Sequence, residues 1–285
     1  MGEKYGPFVR LWGILPSQMP ADGAPTEDIA QFVGSILGEA VPFVGGLPAS
    51  SAPKNGDGSW KPKGCKAFAH SAAPVHLYER VVSTEDLASV AKENDLPQAK
   101  GAKVRAETWT LRRSVHEDVA KPGTASWEEW ARYFKEGHAE AEKAFTPSVL
   151  STKIKARWDC NGVEVTLGDD TWEDFSLKLE DLRPRPPRIH RGPNRRRPGG
   201  ALRRRDEAGR GAARRVHERG EVQGEEGGSG VEWVMGTASD ARGVLPAWVQ
   251  KMAVPGQIAK DVDMFLEWVV KERKKKGSLW SRVCE

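Results

Sequence analysis

Apolar positions recur along this chain with two distinct periods, and the switches between them predict its elements. After Pro25-Thr26-Glu27-Asp28, Ile29, Phe32, Val33, Ile36 and Leu37 return at spacings of three and four. This predicts an amphipathic helix that ends before Pro42. Residues 45–63 (GGLPASSAPKNGDGSWKPK) are rich in Gly, Pro, Ser and Asn and read as a loop, with a domain boundary nearby. Residues 73–82 (APVHLYERVV) fit a strand, and Ser83-Thr84-Glu85-Asp86 fits the cap of a short helix through Leu87 and Val90. From 104 to 116 (VRAETWTLRRSVH) the pattern alternates: Trp109, Leu111 and Val115 share one face, and Thr108, Thr110 and Arg112 the other. That is the period of a half-buried strand.

Ser126 before Trp127-Glu128-Glu129 predicts a capped helix that runs past Trp130, Tyr133 and Phe134 to Phe145, ahead of Pro147. Runs at 149–158, 162–167 and 172–179, punctuated by Asn161-Gly162 and Gly168-Asp169-Asp170, predict an antiparallel meander. A further strand is expected at 231–238, with Val231, Trp233 and Met235 on one face. The last helix is expected from Pro255 onward, with Ile258, Val262, Phe265, Leu266 and Val269 as one apolar stripe.

Charge divides the chain unevenly. Residues 181–230 hold 14 Arg against 7 acidic residues, a local +7 in a protein of net charge +4, so the remainder is mildly acidic. The segment has no Lys and no aromatic residue, and three readings stay open for it. It is an Arg, Gly and Pro-rich insertion too poor in apolar residues to order itself, a phosphate-neutralising basic stretch, or the product of a retained intron or shifted reading frame. Without aromatics to stack on bases, specific nucleic-acid binding is not expected.

Composition excludes other classes. No apolar run reaches the length of a membrane span. The first residues, MGEKYGPFVRLWG, carry no secretory pattern, so a cytoplasmic protein is expected. Cys65, Cys160 and Cys284 lie far apart, and the six His form no ligand spacing, so neither disulfides nor a metal or other cofactor is expected.

Residues 231–253 carry a resemblance. After the strand VEWVMGTA come Asp240, Arg242-Gly243, Leu245-Pro246 and Trp248, and then a long helix. This order resembles the strand-to-helix joint of the START-like superfamily. The segments ETWTLRRSVHEDVAKPGTASWEEW and AVPGQIAKDVDMFLEW are similar to a fungal branch of it, a domain of unknown function. The similarity covers roughly 60–180 and 231–275. It implies an α+β helix-grip fold, in which a curved antiparallel sheet is closed by a long C-terminal helix. The expected organisation is an N-terminal extension over 1–59, the START-like domain over 60–275 interrupted at 181–230, and a tail over 276–285.

The function so implied is binding, with transfer as an extension of it, of a lipid or other hydrophobic small molecule between sheet and helix. Trp109, Trp158, Trp172, Trp233 and Met235 are candidate lining residues from the sheet; Trp248, Met252, Phe265 and Trp268 are candidates from the joint and helix. Most of these side chains have packing as an ordinary alternative. Arg112 and Arg113 lie on opposite faces of one strand, so one of them could meet a carboxylate or phosphate of the ligand, with a salt bridge at an exposed edge as the plainer role. The alternative function is a polyketide-cyclase-like or hydrolase-like enzyme, for which His116, beside Glu117 and Asp118, is the candidate base. The run KERKKKG at 271–277 suits transient contact with an anionic membrane, although cations at a helix C-terminus also answer the dipole. Oligomeric state has no signature here.

Overall fold

The computed structural model describes residues 9–10, 18–45, 47, 59–94, 106–173, 175–184, 213–216, 230–238 and 247–283. At its centre is strand β3 (Glu107–Glu117), flanked on one side by β2 (Ser71–Val82) and β1 (Lys61–Phe68), and on the other by β9 (Gly230–Ala238) and β8 (Ala213–Val216). All neighbours pair antiparallel, giving a five-stranded sheet in the order β1-β2-β3-β9-β8. The architecture is mixed α+β, an antiparallel sheet with a long C-terminal helix, α5 (Ala247–Val283).

The other elements are α1 (Thr26–Gly45), α2 (Thr84–Glu93), α3 (Trp127–Trp130), α4 (His138–Phe145), β4 (Val149–Arg157), β5 (Val165–Leu167), β6 (Asp170–Trp172) and β7 (Lys178–Pro184). One turn of π-helix, Ala131–Glu136, separates α3 from α4. The single helix expected over 126–145 is therefore broken, at that turn and at Gly137.

Both faces of the sheet are covered, which is why β3 is buried on both sides rather than half-buried. On one face Val75, Leu77, Val231 and Trp233 pack under Ile258, Val262, Phe265, Leu266 and Val269, the stripe expected of α5. On the other, Tyr78, Trp109, Leu111 and Val234 meet Ala40 and Phe43 of α1 and Leu87 and Val90 of α2. The first part of α1, with Ile29 and Val33, packs on Trp158, Val163 and Val165. So α1, placed by sequence in an extension beyond a boundary at 45–63, shares the core of the rest.

Several expectations change. Helix α1 runs through Pro42 to Gly45, and its late carbonyl at Phe43 accepts from Trp60 Nε1 at 2.8 Å and Arg80 Nη1 at 2.9 Å, which satisfies a group that a helix end leaves open. Helix α5 begins eight residues before Pro255 and carries that proline inside it. The expected meander is instead two nested pairs, β4 with β7 and β5 with β6. The tight turn is Gly168-Asp169, with Gly168 at φ 64°, and Asn161-Gly162 joins no strand pair directly. Strand β1 falls partly where a loop was expected. Its residues are nearly all exposed, so it carries no alternation to read.

Part of 181–230 has described backbone: β7 reaches Pro184, and Ala213–Val216 adds β8 to the edge of the sheet. The rest of that segment, and the joint at 239–246, lie outside the described residues.

Candidate functional site

Alternation along β3 sends Arg112, Ser114 and His116 to the face under α5. The antiparallel register places Met235, Trp233 and Val231 of β9 directly beside them. All three polar side chains are almost wholly buried, Arg112 at 0%, Ser114 at 1% and His116 at 2% exposure. The Arg112 guanidinium lies 3.7 Å from the centre of the Trp233 ring, a desolvated cation–π contact. His116 Nε2 and Ser114 Oγ are 2.9 Å apart, while His116 Nδ1 and Trp233 Nε1 have no hydrogen-bond partner among the described residues. Burial, and secondarily the charge of Arg112, push the His116 imidazole down to about 4, so it is neutral at physiological pH.

Aromatic rings roof this polar row. Trp130 is the hub, with ring centres 4.9 Å from Trp233, 4.8 Å from Phe265, 5.5 Å from Phe134 and 5.5 Å from His116. Phe134 lies 4.7 Å from Phe265 and 4.9 Å from Trp233. Tyr133 and Trp268 are half-buried and meet edge to face at 4.6 Å. The π-helical turn sets two of these rings, because Tyr133 and Phe134 both reach Phe265 from it. Such turns recur at functional sites.

The roof is fastened at its start. Ser126 and Glu129 form a capping box, the Ser126 amide donating to Glu129 Oε2 at 2.9 Å. Trp130 Nε1 donates to Ala125 O at 3.1 Å. Arg273 of α5 grips the same carboxylate at 2.7 and 2.6 Å and donates to the carbonyls of Lys121 and Thr124 at 2.7 and 2.9 Å. Burial alone would raise the Glu129 carboxyl. The bonds from Arg273 and Ser126 outweigh it and hold the group below the usual carboxylate range.

Of the residues singled out by sequence, Arg112, His116, Trp233, Met235, Phe265 and Trp268 come together here. Trp109 does not: it lies on the opposite face against Phe43, ring centres 5.1 Å apart, and donates to Glu107 Oε2 at 3.0 Å. An apolar void of about 10 Å³ beside it, at Phe43 and Trp60, has room for one water at most. Trp158 and Trp172 belong to the cluster around α1, with Trp158 Nε1 donating to the carbonyls of Pro20 and Ala21, both at 3.2 Å. The side chains of Trp248 and Met252 lie outside the described residues. Arg113 pairs with Glu232 in mid-sheet, not at an edge. Glu117 pairs with Lys121 at 2.5 Å and Asp118 accepts from the Trp127 amide at 2.5 Å, so neither carboxylate serves His116.

Sequence reasoning missed Ser114, Trp130, Tyr133 and Phe134. Ser114 was marked by the same period that joins Arg112 to His116, and the rings by their spacing in WEEWARYF. Among the described residues, no cluster of three or more His, Cys, Asp or Glu could hold a metal, and no helix is long and apolar enough to cross a membrane.

The class is α+β, a five-stranded antiparallel sheet under a long C-terminal helix with a polar row beneath an aromatic roof. The chain matches the model of the family described as "Protein of unknown function (DUF3074)" over residues 109–196 and 206–269, more than half its length, and belongs to that family. The match begins at β3 and ends within α5, so it includes the site; it also takes in much of the Arg-rich segment. No curated protein and no solved structure matches the chain.

Proposed function

We propose that this domain is a START-like helix-grip module that holds a lipid or other hydrophobic small molecule between its sheet and α5, with an acidic group of the ligand turned toward Arg112. The observation that carries the reading is the wholly buried Arg112 guanidinium lying over the Trp233 ring on the face beneath α5. Desolvating such a charge costs several kcal/mol, and an anionic group of a ligand beside it would offset part of that cost. Apolar walls with a few fixed polar groups are the ordinary composition of a small-molecule site. The rings pack on one another in the space between sheet and α5, so a ligand enters by parting them. Tyr133 and Trp268, half-buried at the rim, are the pair that must separate.

The test is titration of the tryptophan fluorescence of purified protein with oleic acid and with its methyl ester, alongside native mass spectrometry for a co-purifying ligand. The acid is expected to quench and to bind about tenfold tighter than the ester, the value of one charge-assisted contact, and Arg112→Met is expected to abolish that preference. Absence of quenching by either compound, with no ligand retained in the native spectrum, would remove the proposal.

The Ser114–His116 contact favours a second reading, an ester hydrolase. Ser114 Oγ would add to an ester carbonyl and pass its proton to the neutral His116 Nε2; the alcohol would leave with that proton, and water would release the acid. Both groups are sealed from solvent, which places this reading behind the first. Turnover of p-nitrophenyl acetate that persists in Ser114→Ala would eliminate it.

A further inference from the structure

Outside this core, a cleft of about 490 Å³ opens between the β1–β2 turn, the loop after β3 and α5. We infer that it binds the phosphate group of a small phosphate ester, either free or as the headgroup of a lipid. The inference is independent of the ligand site proposed between sheet and α5.

The cleft has a fixed floor of small residues: Ala69, Ala72 and Gly123. The Ala72 amide donates to Gly123 O at 2.9 Å. Gly123 has φ +88°, and a Cβ there would come within 3.0 Å of the Ala72 backbone nitrogen and Cβ. No larger residue fits that position, so the floor stays recessed and a ligand can approach the backbone. The volume lies in the range of small-molecule sites, about 300–1,000 Å³.

The wall supplies the charge. Lys271 and Lys274 both line the cleft, three residues apart and so on one side of α5. Both are exposed. Lys271 Nζ lies 2.5 Å from Glu267 Oε1, one turn earlier. The helix dipole does not account for these cations. Its influence is confined to the last turn, and α5 continues to Val283. His70 also lines the cleft, held in place by Asp263 Oδ1, which accepts from the His70 amide at 2.8 Å and lies 3.1 Å from its Nδ1.

Phosphate suits this arrangement better than carboxylate. Compact ammonium groups act on a phosphate dianion as point charges. The planar fork that favours a carboxylate belongs to Arg273, which is turned away to Glu129. A bound phosphate would draw Lys271 from Glu267, so that carboxylate opposes binding.

The experiment uses the full chain at low ionic strength. One arm titrates glycerol 3-phosphate by calorimetry; the other floats phosphatidylcholine vesicles with and without phosphatidic acid. Each is repeated with the double variant Lys271→Gln/Lys274→Gln, at exposed positions, and with Glu267→Gln, at a half-buried one, with folding checked by circular dichroism. Binding in the first arm identifies a free ester, and binding in the second alone identifies a headgroup. In either case the double variant is expected to weaken binding at least about tenfold, Glu267→Gln to strengthen it severalfold, and added salt to weaken it. The inference is overturned if neither probe binds or if the double variant binds as the native protein does. The oleic acid titration does not involve these lysines, so the two proposals fail separately.

Discussion

Phe265→Ala tests whether α5 is packed on the sheet as described. The side chain is fully buried, and its ring meets Phe134 at 4.7 Å, Trp130 at 4.8 Å, Trp233 at 5.5 Å and Phe145 at 5.6 Å, so neighbours surround it. Truncation forfeits a transfer free energy of roughly 2 kcal/mol. If the flat, interlocked neighbours do not collapse, it also leaves a cavity of roughly 100 Å³, which adds about 2.4 kcal/mol at about 24 cal/mol per Å³. Together these give about 4 kcal/mol, inside the usual range for buried Phe→Ala, and correspond to a fall in Tm of roughly 8–16 °C. Urea denaturation followed by near-ultraviolet circular dichroism reports on these rings directly, and an unchanged m-value would confirm that stability alone has moved. A loss below about 1.5 kcal/mol would refute the reasoning, because it would mean that α5 does not close tightly on the sheet or that the rings flow into the gap.

Two further outcomes follow from the buried polar groups. His116 is depressed to about 4 by burial, with Arg112 adding to it. The unfolded chain therefore takes up a proton near pH 6.5 that the folded protein refuses, so stability is complete above that pH and declines toward pH 4, by about 3 kcal/mol in all. His116→Gln is expected to flatten the urea midpoint over that interval, and an unaltered slope would contradict this assignment. Arg273→Ala removes four donated bonds that tie α5 to the start of the roof. It should cost about 2–3 kcal/mol as charged hydrogen bonds are lost, with Arg273→Lys recovering only part because an ammonium cannot span both carboxylate oxygens. A thermal melt shifted by less than about 1 °C in the alanine variant would show that the clamp contributes little.

Where a residue's environment is set by its own element, the sequence was readable. The stripe of α5 and the alternation of β3 and β9 follow from burial of one face or row, and Ser83 caps α2 through a bond from the Asp86 amide at 3.0 Å. What depended on distant partners was not. Helix α1 continues past Pro42 to Gly45, and the donors that Trp60 and Arg80 supply to the Phe43 carbonyl at its end are invisible in local pattern. Strand β1 is paired on one side only and exposed, so neither hydrophobic period marks it. Only half of the candidate lining residues share one face of the sheet, because aromatic content does not say which face a ring occupies. Trp109 and Arg112, three residues apart on one strand, necessarily lie on opposite sides of the sheet. Once β3 is covered on both faces, both are buried, for different reasons.

The π-helical turn at Ala131–Glu136 bears on how this chain is aligned with its relatives. Such a turn accommodates one residue more than the α-helix it interrupts, and Gly137 restores the direction of the chain before His138. A homologue lacking that extra residue would have an unbroken α-helix here with the residues beyond still on the same faces, because the wider turn is what absorbs the insertion. The ring equivalent to Phe145, on the side of α4 that touches Phe265 and Trp268, would then stand one position earlier in that homologue's chain. A gapless alignment through 131–137 would pair Phe145 with the residue after that ring and record a conserved contact as a substitution.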